Sequence, residues 1–330
     1  MSDTIEEPTT HLAAGATAAA SRRTGRPRIA TARRTRPTPY VLLAPAVLLF
    51  VLFFAIPLGY AVYLSLFAQR ASSDPSGFGV ARNAFVWLAN YADVFRDREL
   101  LASFERLGLY ALITIPFTMG FALVFALLLD SARVKFERFS RMAVFIPYAV
   151  PGAIAGIMWG FLYLPTTSPV NTVLSHLGVD NVNLLGKHAV FGALANTAVW
   201  GVLGFNMIII YTGLRAISSE IYDSARVDGC SEIRLALRIK IPMIVPSLVL
   251  TGLFALIGTL QTYTEPTVIA PLTTSISSTF FPLMNVYRDA FTTNQTNLSA
   301  AMSIVIAAGT LILSMILLRL VSSRAFAQEA

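Results

Sequence analysis

Six apolar runs limit what this chain can fold into. They lie at Val41 to Phe67, Leu107 to Leu129, Met142 to Leu164, Val190 to Leu214, Met243 to Thr264 and Ser299 to Val321. A helix rising about 1.5 Å per residue needs about 20 residues to cross a hydrocarbon layer about 30 Å thick, and each run is long enough. Backbone amides in lipid must be satisfied within the protein, so such runs form helices. Of 330 residues, 55% are hydrophobic and only 13% charged, too few charges for a water-covered surface. The expectation is an all-α integral membrane protein with a six-span domain over residues 40–322.

An even number of spans puts both termini on one side, and the basic residues identify it. With the termini inside, 18 of the 25 Lys and Arg residues fall on the inner face and seven on the outer. The positive-inside rule therefore places both termini in the cytoplasm. The same asymmetry accounts for the net charge of +7 without a basic face for nucleic acid. Residues 1–39, with Arg22, Arg23, Arg26, Arg28, Arg33, Arg34 and Arg36, read as a disordered cytoplasmic tail that cannot bury a core. The following apolar run is too long for a signal sequence, and Asp3, Glu6 and Glu7 do not suit a transit peptide. Pro45, Pro57, Pro116 and Pro151 fall inside the runs, either as kinks around a path or as kinks of packing.

Enzymatic and metal chemistry find little support. Gly186-Lys187 is followed by His188 and lacks the upstream glycine of a phosphate-binding loop, so this chain is not expected to bind ATP. His11, His176 and His188 are scattered and form no zinc pattern, and Cys230 is a single cysteine. No Gly-x-Ser-x-Gly elbow is present. Few ionisable residues fall inside the runs, which disfavours a proton relay. Glu265, at the outer end of the fifth run, is the main candidate for one, and a plain position in water is the alternative reading.

Between the fourth and fifth runs lies a long polar stretch, Glu220 to Leu248. Ile217, Ile221 and Ala225 recur every four residues, and Ile233, Ala236, Leu237 and Ile241 recur at three and four. Each half therefore offers an apolar helical stripe. Asp228-Gly229 separates them and suits a helix stop, and Pro242 suits the start of the next element. The expectation is a helix, a glycine turn and a second helix outside the bilayer.

Asp223-Ser224-Ala225, Gly229 and Ile239-Lys240-Ile241-Pro242 together resemble the cytoplasmic loop of binding-protein-dependent ABC importer permeases. That pattern is Glu-Ala-Ala, three residues, Gly, nine residues, Ile or Val, one residue, Leu-Pro. Asp replaces Glu, Ser replaces Ala and Ile replaces Leu in this chain. The resemblance extends over about Tyr40 to Leu320 to the carbohydrate-uptake group, related to maltose and glycerol-phosphate permeases. It is carried by Pro147-Tyr148-Ala149-Val150-Pro151-Gly152 with Trp159, Pro169-Val170-Asn171, Trp200 with Gly204-Phe205, Gly213 to Ile217, and Tyr287 to Phe291 before Ser299-Ala300-Ala301. Arg106-Leu107 departs from a common Asn-Thr, and Ala270-Pro271-Leu272 from an outer Gly-Gly-Pro.

The resemblance implies a six-helix permease of the bacterial plasma membrane, surrounded by lipid, with a cytoplasmic coupling loop at 215–242. Glu220, Asp223, Ser224, Ala225, Asp228, Gly229, Glu232 and Pro242 are its implied coupling residues. The implied partners are a second homologous permease, two ATPase subunits that carry the ATP and Mg, and an extracytoplasmic solute-binding protein. The implied solute is a di- or oligosaccharide or a related polyol. Such a solute needs amides for its hydroxyls and aromatic faces for its rings. Asn206, Tyr211, Gln261, Tyr263 and Thr264, with Trp159 and Tyr163, supply these groups, and Asn206, Gln261 and Tyr263 are the leading candidates. For each alone, an interhelical hydrogen bond or an interfacial aromatic is an equal reading. An ion-coupled secondary transporter and a membrane-embedded enzyme are the rivals.

Overall fold

The computed structural model describes residues 38–70, 82–131, 134–178 and 182–325. The expected tail at 1–39 lies almost wholly outside the described residues. The chain divides into a unit that ends at Val51 and a unit from Leu52 onward. In the first, helix α1 (Thr38–Phe50) exposes every side chain from Val41 to Phe50, leucines, valines and a phenylalanine among them. An all-round apolar helix is stable against hydrocarbon rather than water.

The second unit holds the remaining elements, apart from Val51. Val51–Ala55 winds as a π turn ahead of helix α2 (Ile56–Ser65), where Pro57 denies the helix a donor. A short antiparallel hairpin follows, β1 (Phe67–Arg70) with β2 (Arg82–Phe85), Phe67 opposite Phe85. Then come α3 (Ala89–Arg96) and the long α4 (Arg98–Leu129). Asp97 caps α4 by accepting from the amides of Glu99 at 2.8 Å and Leu100 at 3.2 Å. Pro116 sits within α4 without ending it.

The third apolar run differs from the single helix expected over 142–164. It is α5 (Glu137–Phe145), a 3-10 turn at Ile146–Ala149 and α6 (Gly152–Tyr163), bent by 97°. The residue before a proline is driven from the helical region, and Val150 before Pro151 has ψ 124°. The short α7 (Pro169–His176) and the straight α8 (Val190–Arg215) come next.

The polar stretch forms α9 (Ser219–Val227), α10 (Glu232–Leu235), a π turn at Ala236–Lys240 and α11 (Ile241–Met243). Pro242 thus lies in the first turn of α11. The fifth run also differs from one helix over 243–264. It bends by 73° at Ile244, continues as α12 (Val245–Leu260), unwinds at Gln261 to Tyr263, and resumes as α13 (Thr264–Ile269). After a 3-10 turn at Ala270–Leu272, α14 (Pro282–Phe291) and α15 (Thr296–Ala325) complete the chain. By length and composition four of these segments could span a membrane, or six if each bent pair counts as one span.

Small residues set the close contacts. Gly152, Gly156 and Gly160 recur every four residues on α6 and face α13 and the turn after it. A Cβ on Gly156 would overlap Val268, and one on Gly160 would lie 2.7 Å from Leu272 Cδ1. Helices in lipid gain from this approach because dispersion, not exclusion of water, holds them. On α4, Tyr110, Thr114, Thr118, Ala122 and Ala126 form a buried stripe of the same period. One end of α4 packs in a cluster with Leu107, Ile269 and Phe281, and the other in a cluster with Met207, Ile210, Leu214 and Ile244.

Candidate functional site

A cavity of about 600 Å³ lies where α4, α8 and the broken α12–α13 meet. The break itself exposes polar backbone and side chains to this space. Irregular backbone at membrane depth is tolerated where it lines a cavity, which is where Gln261 to Tyr263 run. Four residues expected on the path, Asn206, Gln261, Tyr263 and Thr264, line this one space.

Asn206 is 2% exposed. Its Nδ2 donates to the Val202 carbonyl at 2.9 Å, and its Oδ1 has no partner. The buried hydroxyl of Thr118 is also unpaired. Orphaned polar atoms are costly away from water, so these groups, with the equally unpaired Thr114 hydroxyl, mark the cavity as a place for a hydrogen-bonding occupant. Aromatic surface adjoins them. Tyr148 stacks on Phe205 with centroids 4.9 Å apart, and Phe205 meets Phe254 at 5.7 Å. All three rings line the cavity.

Three expected path residues sit elsewhere. Tyr163 lies behind the wall, where its hydroxyl donates to the Ala193 carbonyl at 2.9 Å and receives Asn196 Nδ2 at 2.8 Å. Trp159 stacks on Tyr163 at 5.5 Å and meets Trp200 edge-on at 5.9 Å. Tyr211 belongs to the other cluster, where its hydroxyl donates to Glu137 and Arg141 covers its ring at 5.6 Å. Hydrogen bonding describes the geometry of Tyr163 and Tyr211, and ring packing that of Trp159, whose buried Nε1 has no partner. Tyr110 and Thr118 on α4 were missed as lining residues. The four-residue stripe that carries them was visible in the sequence as small and polar residues inside an apolar run.

The polar stretch forms a capped knuckle. Ser218 Oγ accepts from the Glu220 amide at 3.3 Å to start α9. Gly229, at φ 74°, ends it: the Gly229 amide donates to Arg226 O at 3.0 Å and the Cys230 amide to Ala225 O at 2.9 Å. This pair of bonds is a Schellman stop, and it needs the left-handed backbone that glycine adopts freely. Arg226 ties the two halves, with Asp223 at 3.4 Å and Glu232 at 3.2 Å. Ala225 is buried, while Asp223, Ser224, Glu220 and Asp228 are exposed.

The second stripe differs from the expectation. Ile233 and Leu237 are 75% and 61% exposed, and Leu235 and Lys240 are buried in their place. The π turn at Ala236–Lys240 shifts the helical register, and the inward side chain is a lysine that has found a carboxylate. Lys240 Nζ lies 2.6 Å from Asp130 Oδ2 at the end of α4, with 5% and 2% of the side chains exposed. Tyr222 covers the ammonium at 4.6 Å and donates to the Leu214 carbonyl at 3.2 Å. Burial, aided by the Asp130 charge, pushes the Tyr222 phenol up to about 12, so it remains a donor at neutral pH. Neither Asp130 nor Lys240 was expected as a site residue, although each is a lone charge beside an apolar run.

Apolar helices, two broken spans, a polar cavity at one break and a rigid knuckle beyond the other define a membrane transport protein. The chain belongs to the family of binding-protein-dependent transport system inner membrane components, whose model matches residues 120–327. It is therefore a multi-pass inner-membrane protein. It is 29% identical over 296 residues to the sn-glycerol-3-phosphate transport system permease protein of Salmonella choleraesuis, covering 88% of this chain and 96% of that one. It is 28% identical over 325 residues to the diacetylchitobiose uptake system permease protein of Streptomyces coelicolor, covering 94% and 89%. A bacterial ABC transporter for import of the acidic polysaccharide alginate has the same fold, with TM-score 0.73 at 19% identity over 87% of this chain and 95% of that one.

Proposed function

We propose that this chain is one permease subunit of an ATP-powered importer that receives a carbohydrate or related polyol from an extracytoplasmic binding protein. The observation that carries this reading is the knuckle. Asp223 to Pro242 has the spacing of an importer coupling loop, and it is held as one piece by the Gly229 stop and the Arg226 bridges. The relatives' names supply the solute class and the binding protein. One solved relative is an alginate ABC transporter in complex with an alginate-bound periplasmic protein.

In this reading a second homologous permease completes the path, and two ATPase subunits bind ATP and Mg. Both termini and the knuckle face the cytoplasm. Closure of the ATPase pair moves the knuckle, and the buried Lys240–Asp130 contact passes that movement to α4. The cavity then alternates between the two faces, as a two-state change biased by nucleotide. Asn206, Thr118 and Gln261 bind hydroxyl groups of the solute, and the Tyr148–Phe205 pair offers a face for its ring.

The test is to tag the chain, extract it from its own membrane in mild detergent and identify what co-purifies, beside a Gly229→Asp variant. An ATPase and a second permease with the native chain, and loss of the ATPase from the variant, support the reading. A chain that purifies alone and transports in vesicles without ATP returns the ion-coupled alternative.

A further inference from the structure

The cavity carries one carboxylate, which the transport reading does not use. Glu265 lines it from the first turn of α13, and no Lys, Arg or His is among the described lining residues. No described cation pairs with this carboxylate. Its position is built. A Cβ at Gly152 would lie 2.9 Å from Glu265 Oε1, and one at Gly156 would lie 3.4 Å from its Cα, so the glycines of α6 make the room that it occupies.

Three buried, unpaired groups share the space with Glu265: Asn206 Oδ1, Thr114 Oγ1 and Thr118 Oγ1. The amide oxygen accepts only, the carboxylate accepts only while ionised, and the hydroxyls can do either. Such a set suits a ligand rich in donors. Vicinal hydroxyls or acetamido N–H groups supply donors, whereas a phosphate or uronate brings further negative charge to a site without a cation. Like charges repel, and nothing cationic in the described lining offsets this.

We infer that the cavity takes an uncharged glycoside and turns away anionic solutes, with Glu265 as the residue that makes this choice. The inference rests on the transport reading and deepens it. The two relatives are named for solutes of different charge, the anionic glycerol phosphate and the uncharged diacetylchitobiose. The lining chemistry sides with the second.

The experiment uses the purified membrane complex, this chain with the subunits that co-purify, without its solute-binding protein. Isotopically labelled N,N′-diacetylchitobiose and glycerol 3-phosphate are equilibrated with it separately, and bound label is counted. The disaccharide is expected to bind at least tenfold more tightly than the phosphate ester. Glu265→Gln should weaken disaccharide binding about tenfold, the scale of a charge-assisted hydrogen bond. Glu265→Lys should let the phosphate ester in. Gly152→Ala, which crowds the carboxylate but keeps its charge, should weaken the disaccharide and still reject the phosphate ester.

Equal or tighter binding of glycerol 3-phosphate by the native complex overturns the inference. So does disaccharide binding that ignores Glu265, or no binding of either probe by a complex that holds its ATPase. A chain that brings down no ATPase instead strikes the transport reading itself, so the two failures are distinguishable. Co-purification of the ATPase with each variant shows that the variant has folded.

Discussion

At the scale of the residue, the Lys240–Asp130 pair carries more consequence than any other contact of the knuckle. The two side chains are almost fully buried and 110 residues apart in sequence. Removing one partner leaves a buried charge alone, which costs about 3–5 kcal/mol, while replacing both with apolar groups of similar size is close to neutral. Lys240→Met should therefore lower the thermal midpoint of the purified chain sharply, and Lys240→Met with Asp130→Leu should recover most of it. Recovery of stability without recovery of solute-stimulated ATP hydrolysis would separate the pair's coupling role from its structural one. Gly229 makes a milder case. Nothing lies within 4 Å of a Cβ built there, so Gly229→Ala meets only the φ of 74° and should cost about 1 kcal/mol in the stability of the knuckle. The glycine stop was legible from Asp228-Gly229 because local backbone chemistry decides it. The ion pair was not, because which lone charges meet depends on how two distant helix ends pack.

Elements show the same division between local and tertiary causes. The bend between α5 and α6 falls at Pro151, where sequence marks a break, although nothing in the sequence sets its size of 97°. The unwinding at Gln261 to Tyr263 has no proline or glycine within it. Only the polar character of Gln261-Thr262-Tyr263-Thr264-Glu265 in a fifth apolar run hints at it. Periodicity misjudged the second half of the knuckle for a related reason: a π turn rotated the stripe, and Lys240 took the inward position. Close helix approach gives a sharper test. A Cβ on Gly204 of α8 would overlap the Val144 carbonyl oxygen and come within 2.6 Å of Phe145 Cα, both backbone atoms that cannot rotate away. Gly204→Ala should separate α8 from the end of α5 and cost about 1–3 kcal/mol. Gly192→Ala, on the same helix with nothing within 4 Å, should leave stability unchanged or slightly raised by the better helix propensity of alanine. Thermal melts of the two variants side by side in one detergent check the pair, and equal loss in both would show that helix packing at Gly204 is not the cause.

For the whole molecule, the exposed side chains divide into two kinds. Apolar groups along the spans face what a bilayer supplies, and α1, exposed throughout Val41 to Phe50, needs no protein to cover it. Val227, Ile233 and Leu237 are different, because they stand on a knuckle with charged neighbours, where lipid cannot cover them if it lies in the cytoplasm. Val227 is 87% exposed, on a helix closed by the Gly229 stop and tied by the Arg226 bridges. A polar element that keeps aliphatic side chains in water suits docking to another protein, with the apolar anchors inside a polar rim. In the transport reading that partner is the ATPase. Because Ile233 and Leu237 bury little within this chain, Ile233→Asp with Leu237→Asp should change its own stability by no more than about 0.5 kcal/mol, the range of ordinary surface changes. The same pair of changes should remove the ATPase from the purified complex and abolish ATP-driven uptake in vesicles, since each charge would be buried unpaired at the interface. Retention of the ATPase by a folded double variant would move the docking surface off these two side chains and onto the acidic face of Glu220, Asp223 and Asp228, where reversal of those charges is the next variant to measure.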